Sequence, residues 1–83
     1  MEPSEIESVI KNTLEVTHIE IQNPRKDGLH FEALVVSPSF DGKSLVEQHQ
    51  LVMASLKGHF QTTLHALGLR TLTPKQWNDQ QNG

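Results

Sequence analysis

Residues 30–56 read HFEALVVSPSFDGKSLVEQHQLVMASL, and a change of period inside this stretch decides the fold. The run HFEALVVS follows a turn-rich interval and predicts a strand from about His30 to Ser37. PSFDGKS then closes the strand and opens a helix. Gly42 turns the chain, and Ser44 with Glu47 three residues later fits a capping box. Beyond the cap the period becomes helical: Leu45, Val52 and Leu56 share a stripe with His49, and Val46 and Met53 widen it. Gly58 weakens the helix near Lys57.

Working outward, VTHIEIQ (16–22) alternates, with Thr17, Ile19 and Ile21 on one face and His18, Glu20 and Gln22 on the other. That is a strand with one wet side. NPRKDG (23–28) joins it to the next strand, which predicts an antiparallel hairpin whose basic tip carries Arg25 and Lys26. Upstream, Ile6, Val9, Ile10 and Leu14 recur at helical spacing over residues 3–14, behind Pro3 and an acidic first turn. Downstream, Phe60 and Leu64 suggest a short helical continuation that leads into a strand from about His65 to Leu72. Parity sets His65, Leu67, Leu69 and Thr71 on one face of that strand. Thr73 and Pro74 read as cap and first turn of a terminal helix holding Trp77, with a polar tail, 79–83, expected to fray. The order α-β-β-α-(short α)-β-α in one domain, residues 1–83, predicts an α+β fold with helices packed on one face of a three-stranded mixed sheet. A helix crosses over between the second and third strands, which allows these two to run parallel.

Composition narrows the function. Eighty-three residues leave room for a single core. A formal net charge of −3 argues against a protein that blankets nucleic-acid phosphates, although a local basic patch is compatible with it. Five histidines make the charge sensitive to mild acid. The chain has no cysteine, so disulfides, thiolate nucleophiles and self-sufficient cysteine-ligated clusters are excluded. MEPSEIESVIKN lacks the basic-then-apolar pattern of a signal peptide, and no apolar run approaches the ~20 residues of a membrane span. A soluble, cytoplasmic protein is expected.

Most motifs reduce to structure. GKS (42–44) resembles the end of a phosphate loop, but Ser37 stands where its first glycine is required. The glycines are too scattered for a G-x-x-G nucleic-acid clamp. No H-x-x-x-H or H-E-x-x-H pair signals a helical zinc site, and no nucleophile elbow surrounds a serine, so an enzyme is not expected. His49 reads as a hydrogen-bonded residue at the core edge, and His18 and His59 as solvent-facing. His30 and His65 stand at the starts of two strands, and each is either a structural ring or one presented to something outside the chain.

FDGKSLVEQHQLVMASL (40–56) followed by LHALGLRTLTPKQW (64–77) resembles the signature of the BolA family. That signature is an aromatic-x-Gly-Lys/Met-Ser turn, a helix with a His-Gln pair, His-Ala-Leu, and Thr-x-Thr-Pro-x-x-Trp. The resemblance covers nearly the whole chain and implies a class II KH-like fold without the nucleic-acid clamp. It also implies a non-enzymatic adaptor that partners a monothiol glutaredoxin, with glutathione, to hold a shared 2Fe-2S cluster in iron–sulfur trafficking or iron and redox sensing. In that family the histidine of His-Ala-Leu, here His65, is a cluster ligand. The second comes from the loop between the first two strands, where KDGLHFE (26–32) supplies His30. Two imidazoles on one iron and a partner's thiolates on the other suit a chain without cysteine. Some bacterial members are instead DNA-binding regulators of stress response and cell shape. For that alternative the candidate contacts are Arg25, Lys26, Lys43, Arg70 and Lys75. Alone, the protein is expected as a monomer or weak dimer.

Overall fold

The computed structural model describes residues 3–23, 26, 30–57 and 66–82. Its elements are α1 (Pro3–Thr13), β1 (His18–Gln22), β2 (His30–Val36), a 3-10 turn (Pro38–Phe40), α2 (Leu45–Leu56), β3 (Ala66–Leu72) and α3 (Pro74–Asn82). The strands lie in the order β1-β2-β3, with β1 antiparallel and β3 parallel to β2, so the expected α+β mixed sheet is the observed one. The short helical continuation expected around Phe60 and Leu64 lies outside the described residues.

Alternation along the strands sorts side chains to two faces. Phe31, Ala33 and Val35 of β2 are buried on the inner face, flanked by the half-buried Ile19 and Ile21 of β1 and Leu67 and Leu69 of β3. Ile6 and Ile10 of α1, Val52 and Leu56 of α2 and Phe40 of the 3-10 turn close over them. Burying each such side chain stabilises the fold by roughly 1.5–3 kcal/mol.

Both predicted caps are present. Ser44 Oγ accepts from the Glu47 N–H at 3.2 Å while Glu47 Oε1 accepts from the Ser44 N–H at 2.9 Å. Thr73 and Gln76 exchange the same pair of bonds at 3.2 and 2.9 Å, a second capping box that starts α3 behind Pro74. That helix continues through the polar residues up to Asn82, with every side chain beyond Trp77 exposed.

The apolar stripe of α2 departs from expectation. Its buried residues are Gln48, Val52, Ser55 and Leu56, whereas Leu45, Val46 and Met53 are exposed at 62%, 65% and 46%. The reason is polar. Gln48 Nε2 donates to the carbonyls of Lys43 (3.0 Å) and Phe40 (3.4 Å), and its Oε1 accepts from Thr71 Oγ1 at 2.6 Å. These bonds set Gln48 inward and turn the helix so that Val46 and Met53 fall on its flank.

The outer face is not uniformly wet. His18, Val36 and Leu72 form one rung across the sheet, and Val36 and Leu72 are buried there. Trp77 of α3 stacks on the His18 ring above this rung, centroids 4.4 Å apart and planes inclined by 17°.

Candidate functional site

Parallel pairing brings the starts of β2 and β3 together. His30 is the first residue of β2 and its register partner is Ala66, the first residue of β3 and the residue that follows His65 in sequence. The β1–β2 connection lies at this same end, since Gln22, the last residue of β1, pairs with Glu32. His30 is half-buried and already engages an interaction partner. His65 itself lies outside the described residues. Among the described residues, no three His, Cys, Asp or Glu side chains converge as a metal site.

The expected basic contacts do not share one surface. Arg25 lies outside the described residues. Lys26 stands at the hairpin tip with φ 55°, its N–H donating to the Asn23 carbonyl at 3.0 Å. Lys43 and Lys75 follow the far ends of β2 and β3 and so sit at the opposite end of the sheet. Arg70 lies partway along β3 on the outer face, in a hollow of ≈ 340 Å³ that Glu20 and Glu32 also line. Opposite charges interleave there, and the field favours no polyanion.

Three residues differ from their sequence reading. His18, read as solvent-facing, stacks on Trp77 and shares a 2.7 Å hydrogen bond with Glu20. Glu20 two positions along the same strand face was the available signal. Gln48 joins the FDGK turn, α2 and β3, a role that only its place among apolar neighbours at i+4 and i+8 hints at. His49 was expected to be hydrogen-bonded, yet its Nε2 is buried without a partner among the described residues. His59 lies outside them.

Among the described residues, the carboxyl of Glu47 titrates away from its ordinary value. Hydrogen bonds from the Ser44 backbone N–H and hydroxyl hold its carboxyl below the ordinary value of 4.5, against an opposing desolvation and with a smaller contribution from the Lys43 charge. The carboxylate thus serves the helix start and is not tuned as an acid or base.

The frame is that of a small α+β domain which displays side chains at the mouth of a parallel strand pair. The model of the BolA-like protein family matches residues 7–76, and the chain belongs to that family. It is 33% identical over 78 residues to the acid stress protein IbaG of Escherichia coli K12, covering 93% of this chain and 89% of that one. The DNA-binding transcriptional regulator BolA of the same strain is 36% identical over 53 residues, covering 64% of this chain and 50% of the regulator. Among solved structures, BolA1 from Arabidopsis thaliana superposes with a TM-score of 0.80 at 31% identity, covering 90% of this chain and 96% of the other. Among the described residues no helix is long and apolar enough to cross a membrane.

Proposed function

We propose that this chain is a non-enzymatic adaptor that shares a 2Fe-2S cluster with a monothiol glutaredoxin and its glutathione, with His65 and His30 as its own ligands. The observation that carries the reading is the register: His30 stands across from Ala66, next in sequence to His65. The chemistry of the donor set agrees. A chain without cysteine offers imidazoles and carboxylates but no thiolate, so thiolates must come from a partner. Neutral imidazole is the ligating form, which makes such an assembly sensitive to acid.

The test is to titrate the protein into cluster-loaded monothiol glutaredoxin and record visible absorption and circular dichroism. Wild type should shift the spectrum to that of a mixed complex, and His65→Ala and His30→Ala should each give a different one. A His65→Ala spectrum identical to that of wild type would defeat the ligand assignment.

A second reading, a DNA-binding regulator, draws on the relative of that name and on Lys26, Lys43, Arg70 and Lys75. The dispersal of these side chains over both ends and one face of the sheet weighs against it. Fluorescence anisotropy with promoter DNA across a salt series discriminates, and no binding at low salt removes this reading.

A further inference from the structure

β3 is a terminal strand. β2 pairs with one side of it over all its residues and, among the described residues, no strand pairs with the other. The Ser37 N–H donates to the Leu72 carbonyl at 3.1 Å, which turns the backbone groups of Leu72 toward β2. By the period of two, those of Arg70, Gly68 and Ala66 turn the same way. The N–H and C=O groups of Leu67, Leu69 and Thr71 therefore point off the sheet. Natural edges are usually blunted by proline, lysine or a bulge. The run ALGLRTL has neither residue, and its register with β2 is continuous. α3 follows β3 and lays Trp77 over the outer face, where it stacks on His18 of β1.

Charge at this edge is unpaired. Arg70 and Glu32 are exposed on the outer face, and neither has an ion-pair partner among the described residues. Gly68 lies between Glu32 and the edge. A Cβ built there would stand 3.6 Å from Glu32 Cγ, so the glutamate arm leans over the bare glycine toward the open side.

We propose that β3 pairs antiparallel with β3 of a second copy, about a two-fold axis perpendicular to the sheet that passes midway between the two Leu69 residues. The axis keeps outer faces together, so only residues of equal parity can oppose each other. Centring on Arg70 would set two guanidinium groups face to face, which is repulsive. Centring on Gly68 would leave Thr71 and Leu72 unpaired. Centring on Leu69 engages the whole strand: Leu69 exchanges backbone bonds with its mate, and Leu67 with the mate's Thr71. Gly68 then faces Arg70 of the second copy in the non-hydrogen-bonded position, where Cα atoms approach to about 4.5 Å. With no side chain at Gly68, each arginine crosses over it to the other copy's Glu32, two strand spacings away, about 10 Å. The arginine and the leaning glutamate arm close that span between them. The result is one continuous sheet locked by two reciprocal ion pairs.

The test is sedimentation velocity on the full chain from tens of micromolar to about 1 mM, with amide exchange alongside. The expected result is a concentration-dependent dimer in which the Leu67, Leu69 and Thr71 amides gain protection with concentration and those of Gly68 and Arg70 do not. R70E or E32R alone should weaken association at least ~tenfold, and the R70E/E32R swap should restore it. Both side chains are exposed, so the variants keep the monomer fold, and far-UV circular dichroism checks this. A chain that stays monomeric throughout, as it would if this edge accepted another protein's strand, overturns the proposal. So does a dimer indifferent to either charge reversal, or a swap that fails to restore it.

Discussion

Replacing Gln48 by alanine should destabilise the domain by more than its partial burial suggests. Gln48 is 8% exposed and Thr71 4%, and the Thr71 hydroxyl donates to Gln48 Oε1 at 2.6 Å. Truncation leaves that hydroxyl buried without its acceptor, a cost of about 1–3 kcal/mol. Loss of the 3.0 Å bond to the Lys43 carbonyl adds roughly 1 kcal/mol. The 3.4 Å bond to Phe40 adds little, since that carbonyl also accepts from the Lys43 N–H at 3.1 Å. The sum, ~2–4 kcal/mol, is a large share of the ~4–12 kcal/mol expected for a chain of this size. Thr71→Val should cost ~1–3 kcal/mol by orphaning the amide oxygen. In the double variant no hydroxyl is orphaned, so its cost should fall short of the sum by at least ~1 kcal/mol. Urea unfolding followed by far-UV circular dichroism, with equal m-values across the four proteins, reads these differences. Additivity to within ~0.5 kcal/mol, or a Gln48→Ala cost below ~1 kcal/mol, would refute the reasoning.

Three further outcomes are expected. Phe40→Ala removes a side chain buried at 0% exposure between the strand exit and α2, and should cost ~3–5 kcal/mol in the same denaturation assay. The Glu47 carboxyl is held below its ordinary value in the folded chain, so its contribution is complete above that value and is lost as pH falls through the lower folded one. Glu47→Gln keeps the cap geometry but should flatten the stability–pH curve below about pH 5, and superimposable acid limbs would contradict this. Trp77 is the only tryptophan, and α3 has no buried residue, so His18→Ala should shift its emission to the red and speed amide exchange over Pro74–Asn82 while α1 is unaffected.

The fold was legible where the signals are local. Ser44 with Glu47, Thr73 with Pro74, and the alternation of Ile19 and Ile21 each act within one turn or one strand, and each appears as expected. The face of α2 was misread because apolar spacing alone ignores a buried amide. Leu45, Val46 and Met53 fit the stripe, but hydrogen bonds to a preceding turn and a distant strand set the rotation of the helix. His18 was misread for a related reason. Its stacking partner, Trp77, comes from the other end of the chain.

The candidate site divides along the same line. The sequence by itself determined that no thiolate comes from this chain and that a histidine, His30, stands at a strand start, because these are matters of composition and period. It also determined the order of the described helices and strands, which allowed a parallel crossover. Only the tertiary structure decided the register that sets His30 against Ala66, the scattering of the described basic side chains, and the terminal place of β3 in the sheet with Arg70 and Glu32 beside it. Register and adjacency come from contacts between residues far apart in the chain. A sequence pattern records the periodicity of each strand but not which residue stands opposite which.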